Sequence, residues 1–199
     1  MAELETRWNE RHKAASPWDS GQPCAEVLRV LAEHSIARSR ALELGCGIGR
    51  EAVALAQRGF EVSATDVSNE ALERARAAAI AAGVVVDFFQ ADVLQLPEVG
   101  APFPFVLDRG LYQHTRTERP RFEKVLERIT HPGSLYLVIA PSINDDAIRA
   151  PRAVRDYDLC LDYARLLRLV QLREVRFAPA RVNGREVRPL MWSALFVRK

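Results

Sequence analysis

Residues 41–51, which read Ala-Leu-Glu-Leu-Gly-Cys-Gly-Ile-Gly-Arg-Glu, decide the fold of this chain. A short apolar strand runs into glycines at alternate positions, Gly45, Gly47 and Gly49, and a helix-forming segment follows. Glycines at a strand-to-helix turn permit positive φ angles and allow a ligand to approach the backbone. The N terminus of the next helix favours a negatively charged or carboxylate-bearing ligand. The stretch therefore predicts a βα unit with a ligand at its glycine-rich turn, whereas an ordinary glycine-rich turn is the plainer alternative.

A second predicted strand, residues 61–65, ends at Asp66. A carboxylate at this place can accept both hydroxyls of a ribose, as in nucleotide-binding βαβ units. We therefore predict that Asp66 and the adjoining Val67 hold an adenosine-containing cofactor. The dinucleotide pattern fits only if it begins at Gly47, because Arg50 fills its last position when it begins at Gly45. A nicotinamide dinucleotide stays open on this local evidence.

The length and composition of the chain favour one domain. With 199 residues and 48% hydrophobic content, the chain can bury one core and is short for two. We predict a single domain over 1–199, with an N-terminal lid and helix at 1–35, a cofactor-binding core at 40–140, and an acceptor-side loop, helix and hairpin at 141–199.

Charge and cysteine usage exclude several classes of function. No apolar run reaches the roughly eighteen residues of a membrane span, and the N terminus lacks the basic and apolar regions of a signal peptide. The cysteines lack Cys-x-x-Cys spacing, the histidines form no ligand-spaced cluster, and the net charge of +2 is spread along the chain. We predict a cytoplasmic monomer or weak homodimer with no metal, membrane or nucleic-acid partner. The predominance of arginine over lysine is typical of GC-rich bacterial coding sequences.

Strand and helix patterns alternate along the chain, which is typical of a parallel α/β sheet. The patterns predict strands at 41–44, 61–65, 84–90, 103–107 and 134–140, and helices at 23–34, 49–57, 68–82 and 117–130.

The C-terminal part departs from this alternation. A helix is predicted at 153–170, followed by strands at 172–182 and 190–198 on either side of Asn183-Gly184. Two β-rich runs around an Asn-Gly turn predict an antiparallel hairpin. A dinucleotide-binding Rossmann domain would instead continue with parallel strands and helices.

The run Glu43-x-Gly45-x-Gly47-x-Gly49 resembles motif I of the class I S-adenosylmethionine (SAM)-dependent methyltransferases. The resemblance implies an α/β fold with a seven-stranded Rossmann-like sheet, mostly parallel with a C-terminal antiparallel hairpin and helices on both faces. It also implies SAM as cofactor and S-adenosylhomocysteine as product, with Glu43 among the binding residues.

Later segments match the same family in order, so the resemblance covers nearly the whole chain. Ala91-Asp92-Val93 resembles the segment that holds the adenine, which implies that the Asp92 carboxylate accepts from the adenine amine and that the Val93 N–H faces a ring nitrogen. Asp108 lies where the family has its motif IV residue, near the methionine end of the cofactor and the acceptor. His131-Pro132-Gly133 resembles the Pro-Gly turn before the fifth strand, with Ser134 in place of a second glycine.

The N-terminal segment resembles the thiopurine S-methyltransferase superfamily, which includes halide and thiol methyltransferases. The matching residues are Trp8 and the run Pro17-Trp18-Asp19-x-Gly21-x-Pro23. The resemblance implies that Trp8 and Trp18 close over the cofactor, and Trp faces attract a sulfonium cation by roughly 0.5–2 kcal/mol. The alternative is that both tryptophans only pack the N-terminal helix on the core.

The candidates for catalysis are Asp19, Asp108 and His114. His114 is the most base-like of them, although a lone histidine after a strand is more often structural. Arg109 is a candidate for orienting an anionic acceptor, with a helix cap or a surface ion pair as its alternative. Tyr112 is a candidate for a pocket wall, and His114 is also a substrate-binding candidate.

These residues predict methyl transfer from SAM to a small-molecule acceptor by in-line displacement. A soft nucleophile, namely a thiol, selenol or halide, needs little or no help from a base, whereas a hydroxyl or amine needs a general base. An O- or N-methyltransferase of a secondary metabolite and a non-catalytic SAM-binding module are the alternatives.

Overall fold

The computed structural model describes residues 2–13, 21–100, 102–146, 152–182 and 185–199. The strands in chain order are β1 Arg40–Leu44, β2 Glu61–Asp66, β3 Asp87–Gln90, β4 Phe105–Arg109, β5 Leu135–Pro141, β6 Leu167–Arg176, β7 Ala180–Val182, β8 Arg185–Val187 and β9 Leu190–Arg198. The helices are α1 Ala2–Lys13, α2 Ala25–Glu33, α3 Arg50–Ala56, α4 Asn69–Ala81, α5 Tyr112–Thr115, α6 Arg119–Ile129 and α7 Asp156–Asp162.

Seven of the strands form one twisted sheet in the order β3-β2-β1-β4-β5-β9-β6. The first five strands of the chain run parallel to one another, and β9 runs antiparallel between β5 and β6. The chain leaves β3 at one edge and returns to β4 beside β1, so the strand order reverses at the β1–β4 boundary. Ligands of open α/β sheets bind in the crevice at such a reversal, beyond the carboxyl ends of the strands.

Alternation along the strands divides the core into two layers, one on each face of the sheet. On β1, Leu42 and Leu44 face the layer that contains residues of α6, whereas Ala41 faces the layer formed with α2, α3 and α4. Strand β5 is buried through its centre on both faces, as its unbroken apolar sequence predicts. The predicted fold class is confirmed.

The C-terminal hairpin is confirmed, although its boundaries differ from the prediction. Strand β9 pairs with β6 over most of its length, and the short β7 and β8 form a separate two-stranded extension. The predicted turn at Asn183-Gly184 lies outside the described residues.

The predicted helix at 153–170 is wrong in extent, because α7 ends at Asp162 and β6 begins at Leu167. From this point buried Leu167 and half-buried Leu169 alternate with exposed Arg168 and Val170, which is the two-residue period of a strand. The helical prediction there missed the change of period from 3.6 to 2.

Two other boundaries differ from prediction by a few residues. Strand β3 begins at Asp87 rather than residue 84, and Val85 before it is 91% exposed. The helix predicted at 117–130 begins at Arg119, after a 3-10 turn at Arg116–Glu118.

Candidate functional site

The glycine-rich turn adopts the backbone that its sequence requires. Gly45, Gly47 and Gly49 have φ angles of 67°, 52° and 74°, in the left-handed region that glycine tolerates best. A Cβ on Gly49 would lie 2.8 Å from the Cβ of Ala75, so this glycine also permits α3 to pack closely on α4. The turn therefore combines an open loop with tight helix packing.

Asp66, at the end of β2, is tied to the glycine-rich turn. Its carboxylate accepts from the Gly47 N–H at 2.8 Å and from the Ser68 N–H at 2.9 Å. Burial raises the pKa of this carboxyl, and the two backbone donors oppose the shift. Asp66 thus lies beside the turn, at the carboxyl end of the neighbouring strand, as the sequence predicts for a group that binds ribose.

Helix α1 lies across the glycine-rich turn. The buried His12 places its Cε1 3.4 Å from where a Cβ on Gly47 would stand. Asn9 accepts from the Ser68 hydroxyl at 2.7 Å, and Arg74 of α4 donates to the His12 carbonyl at 2.8 Å. The start of the N-terminal segment therefore covers the turn, whereas Trp18 and Asp19 lie outside the described residues.

Asp92 and Val93 lie at the next strand end. The Ala91 N–H donates to the Asp66 carbonyl at 3.1 Å, so this segment adjoins the end of β2. The half-buried Asp92 carboxylate accepts from the Leu94 N–H at 2.9 Å and caps a 3-10 turn. The predicted adenine segment is therefore adjacent to the predicted ribose residue.

Glu43 lies on β1 beneath the turn and is 1% exposed. Its Oε2 is buried and has no hydrogen-bond partner among the described residues. Burial and the neighbouring Glu51 raise the pKa of this carboxyl well above its usual value, and Arg109 opposes them. A buried acceptor atom of this kind suits a ligand that brings a cationic N–H donor.

Arg109 forms an ion pair with Glu51, with 3.7 Å between Nε and Oε1. Glu51 also accepts from the Cys24 N–H at 3.0 Å, so the pair links β4, α3 and the start of α2. The structure therefore shows Arg109 in an ion pair, as one of its alternatives predicts, but the pair is half-buried rather than at the surface.

Asp108 is fully buried at the end of β4, which differs from a carboxylate that touches the acceptor. Its Oδ1 accepts from the N–H groups of Leu111 and Tyr112 at 2.9 and 3.1 Å, and its Oδ2 accepts from the Tyr136 hydroxyl at 3.0 Å. Burial raises the pKa of Asp108 to about 7 despite these donors. The contacts give Asp108 the geometry of a positioning residue that fixes the start of α5.

The structure corrects the expectation for Tyr112, whose side chain is fully buried rather than part of a pocket wall. Its hydroxyl donates to Asp162 at 2.6 Å, and its ring contacts Tyr163. Local sequence patterns do not predict this burial, because the partner residues Asp162 and Tyr163 lie on α7 and directly after it.

His114 lies on α5, after the strand that carries Asp108, and it contacts residues of α1 and of the segment between β5 and α7. Its ring makes an edge contact with Trp8 of α1, with 5.1 Å between the ring centroids. The Arg152 Nη1 lies 2.9 Å from His114 Nδ1. Because a guanidinium only donates, Nδ1 accepts this bond and the ring proton of the neutral histidine is on Nε2.

The surroundings of His114 are cationic. Burial, and the charges of Arg152, Arg11 and Arg7 in that order, lower the pKa of His114 to about 4. Sequence reasoning missed these arginines and His12. The spacing of Arg7 and Arg11 by four residues on one helix was the available signal, whereas nothing local placed Arg152 beside them.

The described residues contain no group of three or more His, Cys, Asp and Glu side chains arranged to hold a metal ion. Within the same residues, no helix is both long and apolar enough to cross a membrane.

Comparison with known proteins finds similarity to methyltransferases. Residues 41–133 match the model of a methyltransferase domain. The 2-heptyl-1-hydroxyquinolin-4(1H)-one methyltransferase of Mycobacteroides abscessus is 28% identical over 132 residues, which are 65% of this chain and 58% of that protein. The probable thiol methyltransferase 2 of Arabidopsis thaliana is 37% identical over 68 residues, 34% of this chain and 30% of that protein. The chain thus aligns with about a third to three-fifths of the length of these curated relatives.

The fold as a whole matches solved structures. A structure described under the conversion of a disulfide bond into a thioacetal group during echinomycin biosynthesis superposes with a TM-score of 0.84 at 21% identity, covering 98% of this chain and 93% of that one. In its matched domain and its relatives this chain is similar to SAM-dependent methyltransferases, and its sheet shares their fold.

The residues present fit this cofactor. Asp66 beside the positive-φ glycines suits the ribose, and the buried Oε2 of Glu43 suits the cationic ammonium of the methionine part. Asp92 at the adjoining strand end is in place for the adenine.

Proposed function

We propose that this protein transfers the methyl group of SAM to a small-molecule thiol. The observation that carries the proposal is the bond between Arg152 and His114, which occupies Nδ1 of the histidine on α5. An acceptor that already reacts as an anion does not require that base. A hydroxyl or amine acceptor would require one.

The cationic surroundings favour the same conclusion. The charges of Arg152, Arg11 and Arg7 that lower the pKa of His114 would also lower the pKa of a thiol held beside it. The larger thiolate fraction then raises the rate without a proton-accepting side chain. Selenols and halides satisfy the same requirement.

Bound SAM supplies an electrophilic methyl group on a sulfonium, and the chain supplies alignment. Asp66 would hold the ribose of the cofactor and Glu43 the ammonium of its methionine part, and the Asp108 contacts with Leu111 and Tyr112 fix α5 and with it His114. Helix α1 covers the turn and excludes water, which favours in-line displacement between aligned groups.

Methylation of an oxygen or nitrogen on a heteroaromatic acceptor is the second candidate. The similarity to the Mycobacteroides abscessus hydroxyquinolone methyltransferase, which extends over 65% of this chain, favours it. Turnover on hydroxyquinolones and none on thiols would select this candidate. A non-catalytic SAM-binding module would bind SAM and turn over neither.

The test is calorimetric titration with SAM and S-adenosylhomocysteine, followed by turnover on aryl and alkyl thiols, iodide and phenols. With a pKa of about 4, His114 does not titrate between pH 5 and 8, so the inflection of kcat/KM should follow the acidity of each thiol. His114→Gln should cost less than about ten-fold in kcat, against the 10²–10⁴-fold typical of a lost general base.

An inflection that stays at one pH for every thiol and vanishes in His114→Gln would instead identify His114 as the base. Binding of neither SAM nor S-adenosylhomocysteine would refute the assignment of the cofactor to this chain.

A further inference from the structure

Three arginines converge on one face of the candidate site. Arg7 and Arg11 are four residues apart on α1 and therefore lie on the same side of that helix. Arg152 reaches the same place from the segment between β5 and α7, where its Nη1 bonds to His114. The sequence separation of these groups shows that the fold, rather than local composition, gathers them.

The aromatic side chains of Trp8 and His114 lie beside these cations. Trp8 and His114 are half-buried and meet edge to face at 5.1 Å, and the Arg11 guanidinium lies 5.0 Å from the centre of the Trp8 ring. A guanidinium stacked on an indole keeps its N–H groups directed outward in the ring plane. The surface therefore combines two nearly perpendicular aromatic rings with the planar donors of Arg11.

Cationic groups dominate the electrostatic surroundings of His114. The groups that act electrostatically on His114 are all arginines, and no carboxylate from the described residues is among them. Like charges four residues apart on a helix repel each other, so Arg7 and Arg11 together oppose helix stability. A bound anion removes that repulsion.

The cluster is placed where an acceptor enters. His114 follows β4 and Arg152 follows β5, so both lie beyond the carboxyl ends of parallel strands, and Leu111 on the same loop stands 3.3 Å from where a Cβ on Gly45 would be. This is the edge at which the strand order reverses, next to the glycine-rich turn.

We propose that Arg7, Arg11 and Arg152 bind an acidic group, a carboxylate, that the methyl acceptor carries in addition to its reacting sulfur. The two oxygens of a carboxylate match the paired N–H groups of a guanidinium, which gives orientation as well as attraction. The rings of Trp8 and His114, which stand nearly perpendicular to each other, suit an edge or face contact with an aromatic ring between the acid and the thiol. This inference rests on the proposed function, because it describes the acceptor of the same reaction.

The experiment compares 4-mercaptobenzoate with its neutral analogue 4-mercaptobenzamide in the SAM-loaded protein. We expect wild type to prefer the acid in kcat/KM by at least about ten-fold, since a charge-assisted hydrogen bond exceeds a neutral one. Arg152→Gln and Arg7→Gln should each reduce the ratio of the two kcat/KM values at least about five-fold, with the reduction mainly in KM. The ratio cancels any effect of the substitution on general activity.

Arg168→Gln is the matched control, because Arg168 is an exposed arginine on β6 at the far edge of the sheet. It should leave the ratio within two-fold of wild type. A wild-type ratio near one, or equal losses for both acceptors in the arginine variants, would overturn the proposal while leaving thiol methylation intact.

A binding measurement separates the two proposals. If neither thiol is methylated, the proposed function fails, and 4-mercaptobenzoate is then titrated into the complex with S-adenosylhomocysteine. Binding that is weakened at least about five-fold in Arg152→Gln and unchanged in Arg168→Gln would still support the acid site. Absence of binding in wild type would overturn it.

Discussion

Replacing Asp108 by asparagine should stabilise the protein relative to wild type by an amount that grows as the pH rises from 5 to 8. Asp108 is fully buried, and both backbone N–H groups that contact it bond to the same oxygen, Oδ1. An asparagine can keep its carbonyl oxygen there and donate from its amide to the Tyr136 oxygen. The substitution therefore removes the ionisation and retains the geometry.

The magnitude follows from the pKa of Asp108, which burial raises from 3.8 to about 7. Because the pKa of Asp108 is higher in the folded protein than in the unfolded chain, the protonated carboxyl contributes its full stability below pH 3.8. This contribution is lost as the pH rises through about 7. Well below pH 7 the folded protein holds about one more proton than the unfolded chain, so wild type loses about 1.36 kcal/mol per pH unit; because this proton is half lost at pH 7, the loss from pH 5 is about 2.3 kcal/mol at pH 7 and about 2.6 kcal/mol at pH 8. The difference between Asp108→Asn and wild type should increase by those amounts.

Urea unfolding of the cofactor-free protein at pH 5, 6, 7 and 8 measures this difference. Asp87→Asn, which neutralises an exposed carboxylate on β3, is the matched control and should show a constant difference from wild type. If the difference for Asp108→Asn varied by less than about 0.5 kcal/mol over this range, Asp108 would be ionised in the fold and held by its donors, and the reasoning from burial would be refuted.

The remaining predictions concern the cofactor side of the site. Asp66→Ala should weaken the calorimetric affinity for S-adenosylhomocysteine at least about ten-fold, because a charge-assisted bond to the ribose is lost; unchanged affinity in a folded variant would exclude that role. Gly49→Ala should lower the free energy of unfolding by about 2 kcal/mol or more, since its Cβ would stand 2.8 Å from that of Ala75. Gly83→Ala, with φ 66° and open space, should cost only about 1 kcal/mol, and equal losses would contradict the packing argument. Asn9→Ala should speed hydrogen exchange in α1 with less than about 1 kcal/mol of global destabilisation, and unchanged exchange would show that its bond to α4 does not hold the helix.

Prediction from sequence worked best where a short stretch requires one backbone conformation or one degree of burial. The glycines at 45, 47 and 49 require left-handed backbone, and the apolar runs of β1 and β5 require burial, whatever else surrounds them. The position of Asp66 beside the turn was predicted from its place at the end of the next strand. The ends of helices and strands were predicted less well. At 153–170, for example, the 3.6-residue period of a helix and the two-residue period of a strand meet in one segment.

The sequence by itself therefore determined the alternation of strands and helices, the glycine-rich turn and the carboxylate beside it, because these depend on neighbours along the chain. Only the tertiary structure decided that Asp108 is buried, that Tyr112 bonds to Asp162, and that Arg152 reaches His114. Burial and charge at these groups depend on residues that are distant in the chain, such as Arg7 for His114, which packing brings together and local patterns do not record. The reactivity of the site thus depends on the fold, whereas the glycine-rich turn and Asp66 already indicate an adenosine-containing cofactor.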